Sequence, residues 1–515
     1  MKPAKSYFLI LILQIVCSNS VFAQYTSTKW CFGDSAGIDF NNNLAPFVSH
    51  ANGRGSCATI CNNNGDLLFY SYTRDYTLWI APSVYMFGSI RDKLNNKMLG
   101  GDTIIGTSWY HEMVIIPKSA TDSTFYVFSA GESSNYGLYY SLVDLKQNNG
   151  LGQVVQKNVQ LQNFSLMDNL YAIKHGNGQS WWVIFLRQDP TGLTTNNSFY
   201  LYPVDENGIG NLIVQHVGPV HNASFGQISF NKNGSKFVLI SGGGMFASYY
   251  FDRCTGVITS DSVFQPEPTT APYPFYFSGS LSPDGTKYYI SHLSSGLSTD
   301  TSKLEQFDLS SPSVLASKKV IFSFPSSEVL GNLKLGPNNK LYFTNMYAGP
   351  GSSYPFNPGF YNAVNNNLSV INYPDSAGLA CDLQLYSIPL GTGRTYFGLP
   401  NNPDYELGAW VGSPCDTLTT NLTPNPSPEE RGAWLQAWYN HEWNMIHVNA
   451  AQLKGRKGML RLLDIEGRIV FEKPAEVIAG GYYTTEIYMQ NFSEGVYIVN
   501  LVTEKETLSF KTSKF

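Results

Sequence analysis

Leu281-Ser-Pro-Asp-Gly-Thr-Lys-Tyr-Tyr-Ile290 decides the architecture of this chain. Pro283-Asp284-Gly285 is a tight-turn signal between two apolar runs, so the stretch reads as the tip of a β-hairpin. Weaker copies recur at Ile60-Cys-Asn-Asn-Asn-Gly-Asp-Leu67, Phe230-Asn-Lys-Asn-Gly-Ser-Lys-Phe237 and Leu335-Gly-Pro-Asn-Asn-Lys-Leu341. Aligned on Gly65, Asp122, Gly178, Gly234, Gly285, Asn339 and Gly393, the tips are spaced by 57, 56, 56, 51, 54 and 54 residues. Each is followed by an apolar or aromatic strand, such as Trp181-Trp-Val-Ile-Phe185 or Lys236-Phe-Val-Leu-Ile240. Most of these lead into a further strand, such as Phe199-Tyr-Leu-Tyr202. Short strands at this period, without an amphipathic helix between them, predict an all-β fold: a β-propeller with about four strands per blade.

Seven tips predict seven blades, or six if Gly393 marks only a loop. The last unit has a hairpin but few strands after it. The N-terminal stretches Lys29–Phe32, Gly37–Phe40 and Ala45–Val48 have the opposite defect, reading as outer strands without a hairpin before them. Joining the two completes a blade and removes the unpaired edges that an open ring would expose.

With 515 residues the chain is expected to hold more than one domain. Charged residues make up 14%, against roughly 25% in an average soluble protein, while Tyr (33) and Phe (31) are abundant. The surface must then be built largely from Asn, Ser, Thr, Gly and Tyr, as in many exported β proteins. A net charge of −5 with no basic block argues against nucleic acid as a partner. Residues 1–23 read as a signal peptide: Lys2 and Lys5, an apolar core over Phe8–Val16, and Val21-Phe22-Ala23 before Gln24. The core is too short to span a bilayer, and no other segment could span one as a helix. Val16 is bulkier than the residue a lipoprotein site prefers before its cysteine, so Cys17 is not read as a lipid anchor.

Six cysteines remain after cleavage, Cys31, Cys57, Cys61, Cys254, Cys381 and Cys415, and an exported chain can oxidise them. Cys57 and Cys61, four apart in one predicted strand, stand about 13 Å apart when extended, too far to pair with each other. The spacing fits no zinc pattern, and neither a metal nor a cofactor is expected.

The propeller is placed over 24–411. After Trp410 the composition shifts to a Pro/Thr-rich linker over 412–430. Residues 431–515 form a C-terminal unit. Its first part, Gly432–Glu442, is Trp-rich and ambiguous. Strands then follow at Met445–Val448, Met459–Leu463, Arg468–Phe471, Tyr482–Ile487, Val496–Val499 and Thr507–Phe510, as in a small β-sandwich.

Asp464-Ile-Glu-Gly-Arg-Ile-Val470, Asn491-Phe-Ser-Glu-Gly-Val-Tyr-Ile498 and the ending Phe510-Lys-Thr-Ser-Lys-Phe515 resemble the type A C-terminal sorting domain of the bacterial type IX secretion system. Asp464, Gly467, Arg468, Gly495, Tyr497 and Lys511 carry the likeness, and Pro424-Asn425-Pro426 is similar to the opening of such domains. The resemblance covers roughly the last 90 residues. It implies recognition by outer-membrane secretion machinery, removal of the domain, and release or attachment at the cell surface. Trp30-Cys-Phe-Gly33, Ala36-Gly-Ile-Asp-Phe40 and Tyr396-Phe-Gly-Leu-Pro400 resemble the secreted propellers that often accompany these domains. The Asp-Ser/Thr-x signal for O-glycosylation in bacteria using this system is similar to stretches at Ser35, Thr103, Ser123, Ser262, Ser376 and Thr417. Asp-Ser and Asp-Thr are also ordinary turn formers.

No catalytic set emerges. Gly33-Asp-Ser-Ala-Gly37 matches the G-x-S-x-G nucleophile elbow, but that elbow needs a strand before and a helix after, whereas Ser35 lies between strands. Ser282-Pro-Asp284-Gly285 lacks the spacing of a sialidase Asp box. His111-Glu112 are adjacent and so point to opposite strand faces. Counting eleven residues back from each tip gathers the starts of the inner strands at one mouth of the ring. Arg54, His111, Glu112, Asp168, Tyr273, Glu328 and Asp382 are the expected binding residues there, with Tyr273 as a stacking surface. The acids outnumber the lone arginine, favouring a cation, amine or polyhydroxyl ligand. The expected function is a secreted or cell-surface module that binds protein or glycan. The alternatives are a polysaccharide hydrolase or lyase using channel carboxylates, and a structural adhesion protein.

Overall fold

The computed structural model describes residues 25–514, apart from 54, 81–82, 107–110, 120–122, 132–136, 189–196, 222–225, 267–274, 294–300, 348–360, 412, 417–433, 441–443, 452, 466, 478–480 and 482. Only the backbone of 74–80, 83–86, 434, 436 and 451 is described. The expected signal peptide, Arg54, Tyr273 and Thr417 thus lie outside the described residues. The chain divides into two compact units, one built from 175 and the residues before it together with 179–407, the other from 176–178 with 408 onward.

The first unit is a β-propeller made of antiparallel sheets, most of them four-stranded meanders in chain order. Sheet 1 holds Cys57–Asn62, Leu67–Ile80, Ser83–Asp92 and Ile104–Ile105, with Tyr25–Thr26 added at its inner edge. Sheet 2 holds Met113–Pro117, Thr124–Gly131, Gly137–Asp144 and Gln153–Gln160. Sheet 3 holds Tyr171–Lys174, Trp181–Leu186, Ser198–Asp205, Gly208–Ile209 and Ile213–His216. Sheet 4 holds Gly226–Phe230, Lys236–Ser241, Met245–Phe251 and Ile258–Phe264. Sheet 5 holds Phe275–Leu281, Lys287–Leu293, Lys303–Asp308 and Lys319–Ser323. Sheet 6 holds Glu328–Leu335, Leu341–Tyr347, Asn367–Ile371 and Leu383–Pro389. Sheet 7 is formed by the N-terminal Lys29–Asp34, Ala36–Asp39, Ala45–Pro46 and Asn52–Gly53.

The repeated tip is a four-residue turn between the first two strands of a sheet. At Gly285 the amide donates to Ser282 O at 2.9 Å, and Leu281 pairs with Tyr288 across the hairpin. The Gly65, Gly234 and Asn339 amides close their turns in the same way, at 2.9, 3.0 and 3.1 Å. Gly65, Gly178, Gly234, Gly285 and Asn339 take a left-handed backbone, with φ of +75° at Gly285 and +62° at Asn339, which is why Gly or Asn stands there; Gly393 does not, and Asp122 lies outside the described residues. Asp284 fixes the turn further by accepting from the Thr286 amide at 2.8 Å and the Ser282 hydroxyl at 2.7 Å.

The abundant aromatic residues form wedges between neighbouring sheets. Phe199 of sheet 3 packs on Phe237 and Tyr249 of sheet 4, with centroids 5.9 and 5.2 Å apart. Phe246 of sheet 4 meets Tyr288 and Phe307 of sheet 5 at 5.3 and 5.1 Å. Trp30 of sheet 7 meets Tyr342 of sheet 6 edge-on at 5.8 Å. Such pairs add about 0.5–1.5 kcal/mol each beyond the area they bury.

Between sheets 7 and 1 the packing is smaller. Cys31, Cys57 and Cys61 are buried free thiols there, and the Cys31 amide donates to Thr59 Oγ1 at 3.0 Å. The chain returns to sheet 7 at its far end: Asp34 N–H donates to Arg394 O at 2.9 Å, and Arg394 N–H to Asp34 O at 3.0 Å.

In the second unit, Trp434–Asn440, Met445–Ala451 and Tyr483–Tyr488 form one sheet. Ile469–Glu476, Lys457–Leu463, Gly495–Thr503 and Thr507–Lys514 form another. Ile446, Val448 and Ile487 of the first share a core with Leu460, Leu462, Val499 and Leu501 of the second. Within the ambiguous Trp-rich stretch, Trp434–Asn440 is a strand paired with Met445–Ala451. Asp464, Gly467 and Arg468 make a hairpin tip: Gly467 has φ +81°, and Arg468 Nε lies 2.7 Å from Asp464 Oδ2. Gly495, with φ +154°, opens the strand that carries the buried Tyr497, whose hydroxyl donates to Ser493 O at 2.6 Å. Lys511 is exposed on the last strand. Among the described residues no helix is long and apolar enough to cross a membrane.

Candidate functional site

The polar side chains that precede or interrupt the inner strands meet around the axis of the propeller unit. Ser56 Oγ, just before the first strand of sheet 1, accepts from the amides of Glu112 and Met113 at 3.1 and 2.9 Å. The His111 amide donates to Asp168 Oδ1 at 2.6 Å, joining sheets 2 and 3. Gly226 N–H of sheet 4 donates to Asp168 O at 3.2 Å. Ser278 of sheet 5 donates to Gln227 Oε1 at 2.5 Å and accepts from Leu333 N–H of sheet 6 at 2.8 Å. Asn332 N–H donates to Phe397 O at 2.9 Å, in the segment that returns to sheet 7. Hydrogen bonds thus pass from each sheet to the next, and the Cys31–Thr59 bond carries them from sheet 7 back to sheet 1.

Three of the expected binding residues come together here. His111, Glu112 and Asp168 are 3%, 2% and 4% exposed, so they are interior groups rather than a solvated rim. The Asn332 amide nitrogen reaches His111 Nε2 at 2.5 Å. That nitrogen can only donate, so Nε2 accepts and the ring hydrogen sits on Nδ1, 4.0 Å from Asp168 Oδ2. Burial, helped by the nearby Lys334 ammonium, pulls the His111 pKa down to about 3, although Asp168 acts in the opposite direction. The imidazole is neutral, with Nε2 engaged, and is a poor general base.

Glu328 and Asp382 lie apart from this cluster. Glu328 begins the first strand of sheet 6, half-buried, and accepts from the Tyr386 hydroxyl. Asp382, with φ +53°, precedes the outermost strand of that sheet and accepts from Asn372 and Gln384 at 2.8 and 2.7 Å. Gly393 turns the chain from that outer strand toward Asp34 rather than joining two strands of one sheet, so counting back from it lands at the periphery.

Sequence reasoning missed the segment that fills the axis. From Gly393 to Pro403 every residue is buried. The Asn401 amide group donates to Met113 O at 3.1 Å and Leu170 O at 2.7 Å, while its backbone N–H donates to Cys57 O at 2.7 Å. Asn402 Oδ1 accepts from Thr59 N–H at 2.8 Å, and its carbonyl accepts from Lys334 Nζ at 2.6 Å. Tyr405, 1% exposed, donates to Ile115 O at 2.8 Å and packs edge-on against Trp181. Asp404 and Glu406 follow on the exposed side, and Asp404 acts electrostatically on Lys174, Arg253 and Lys334. Loss of water around Lys334 pulls its pKa down to about 8, against the attraction of Asp404.

The G-x-S-x-G stretch is a strand–turn–strand, with Ser35 at φ +57° in the turn. A strand rather than a helix follows Ser35, so the turn is not a nucleophile elbow. Of the hydroxyls preceded by Asp, Thr103 is exposed, while Ser35, Ser123, Ser262 and Ser376 are half-buried. Among the described residues no group of three or more His, Cys, Asp or Glu side chains is placed to hold a metal ion.

No family model matches the chain. No curated protein matches it either. Among solved structures it is similar to a periplasmic gluconolactonase of Pseudomonas aeruginosa, at 13% identity over 79% of this chain and 94% of that one, with a TM-score of 0.34. It is similar also to the calcium-binding protein regucalcin of Agrobacterium tumefaciens: 12% identity, 54% and 83% covered, TM-score 0.29. A third is the β-propeller domain of Cps50 (Swd1) from Myceliophteria thermophila: 8% identity, 62% and 92% covered, TM-score 0.30. Likenesses this distant carry no argument about activity or ligand, and the fold rests on the chain's own sheets.

Proposed function

We propose that this chain is a secreted or cell-surface binding module for a protein or glycan, exported through a C-terminal type IX sorting domain. The observation that carries the binding reading is the filled axis. Glu112 and Asp168, the acids a channel hydrolase would draw on, are enclosed in the polar ring, and Asn401, Asn402 and Tyr405 occupy the space a substrate would need. The ring closes as seven blades, the seventh shared between 29–53 and the returning 394–397. The bonds between Asp34 and Arg394 support that count. The separate core of the C-terminal unit and the hairpin at Asp464–Arg468 support the sorting reading, since such a domain must fold independently of its cargo.

The test is to screen the purified chain on glycan and peptide arrays with turnover assays beside them. Saturable binding without turnover is the expected result. Turnover of a polysaccharide would replace this reading with the hydrolase or lyase. Surface adhesion without a saturable ligand would replace it with the structural one.

A further inference from the structure

We infer that residues 399–407 form an axial latch, a peptide held in cis whose seating locks the sheets of the propeller unit to one another. A connecting segment ordinarily runs over the surface, where water satisfies its backbone. This one runs through the interior instead. All but Asn402 Nδ2 of the side-chain polar groups that it buries on Asn401, Asn402 and Tyr405 are paired, and with the Asn402 carbonyl they meet groups on four different sheets. Asn401 ties Cys57 O of sheet 1 to Met113 O of sheet 2 and to Leu170 O, beside the first strand of sheet 3. Asn402 ties Thr59 of sheet 1 to Lys334 of sheet 6. Tyr405 reaches Ile115 O of sheet 2.

Apolar side chains could have filled the same space without regard to register. Two amides and a phenol fit only when the carbonyls they read are correctly placed, so seating reports that these sheets are assembled. Pro400 and Pro403 flank the two asparagines and fix φ on either side, which lowers the entropy lost on ordering the segment. Beyond them, the negative charge of Asp404 favours the charged forms of Lys174, Arg253 and Lys334. The latch also follows every strand of the unit in sequence, so the lock is the last part of the unit to be made.

The test is amide hydrogen exchange by mass spectrometry on the full chain, comparing wild type with Tyr405→Phe and Asn401→Leu. Tyr405→Phe keeps the ring against Trp181 and removes only the hydroxyl bond to Ile115, so it is the variant that still folds. A latch predicts that exchange rises about tenfold together in 57–62, 113–117, 171–174 and 328–335, because one buried acceptor left unpaired weakens all four sheets at once. Asn401→Leu, with two acceptors unpaired, gives a larger rise in the same four stretches. A rise confined to 399–407 and 113–117 in Tyr405→Phe would overturn the inference, leaving the segment a local filler.

Discussion

The ion pair between Asp34 and Arg394 joins the two ends of the propeller unit, and breaking it measures what holds them. Arg394 is 2% exposed; its Nε and Nη2 lie 3.2 and 3.1 Å from Asp34 Oδ2, and Nη2 donates to the Tyr396 hydroxyl at 2.5 Å. The guanidinium lies 4.4 and 4.9 Å from the ring centroids of Tyr361 and Tyr396. Breaking a fully buried pair from one side costs about 3–5 kcal/mol. The Asp34 side chain is 26% exposed, so Arg394→Met, which keeps the stem between the rings, leaves an acid that water can partly reach. We expect it to cost about 2–3 kcal/mol. Asp34→Asn strands the deeper charge and should cost at least as much. The backbone bonds between the two residues persist in both variants, so the register is kept. In the double variant no charge is left alone, and the effects should fall short of additivity by about 1.5–3 kcal/mol. Urea unfolding of the full chain, followed by tryptophan fluorescence, reads all three. Simple additivity within about 0.5 kcal/mol, or single effects of that size, would refute the idea that this pair fastens the ends.

Acid should unfold the wild type partly through His111. Its folded pKa of about 3 lies below the roughly 6.5 of an unfolded histidine, so as pH falls below 6.5 the unfolded chain takes the proton first and stability drops until about pH 3. The ceiling of that loss is about 5 kcal/mol, and His111→Gln should flatten the difference between pH 7 and pH 4 in denaturation midpoints; an unchanged slope would count against a neutral buried imidazole. Gly285→Ala meets no atom closer than 3.7 Å and should cost only the left-handed strain of about 1–2 kcal/mol, whereas Gly33→Ala would place its Cβ 2.1 Å from Arg394 O and should destabilise far more in the same titration. Removing residues 431–515, which takes out the Trp434–Asn440 strand with the sheet it pairs to, should strand the propeller in the periplasm, and fractionation finding it outside the cell would contradict the sorting reading. Intact mass of the protein from its native source should exceed that of the bare polypeptide if Thr103 and its companions carry glycans.

What the chain disclosed about its fold followed from local chemistry. Gly65, Gly178, Gly234, Gly285 and Asn339 are legible because a glycine or asparagine set between polar turn formers and apolar runs marks a left-handed turn. The N-terminal strands that read as lacking a hairpin form a sheet of their own, and from the expected hairpin at Gly393 only the Asp34–Arg394 bridge reaches it. The site was less legible. Irregular pairing between Tyr276 and Ser278, and between Leu330 and Leu333, changes the distance from tip to axis. Ser278 and Asn332, and Gln227 in a regularly paired hairpin, sit seven residues before their tips, while Asp168 sits ten before its own, so a count of eleven misses them. Arg54 and Tyr273 lie outside the described residues. Leu399–Leu407 has no periodicity and two prolines, so nothing local marks it as interior; only the distant carbonyls it meets give it a place. The strand at Trp434–Asn440 was hidden because its tryptophans break the alternation that marks a half-buried strand.

The thiols at the junction of sheets 7 and 1 give the molecule a chemical clock of its own. Cys31 and Cys57 are 0% exposed, and burial raises the pKa of both; Cys61, likewise enclosed, is pushed up to about 11. At neutral pH they stay protonated and out of reach, so a thiol reagent can label them only during the moments when the junction gapes. With excess reagent the labelling rate becomes the opening rate, and with scarce reagent it reports the fraction of time spent open. Cys381, buried against Tyr289 where sheets 5 and 6 meet, supplies an internal reference away from that junction. A junction that breathes on its own labels Cys31 and Cys57 well ahead of Cys381, whereas a ring that opens only by unfolding labels all of them at one rate.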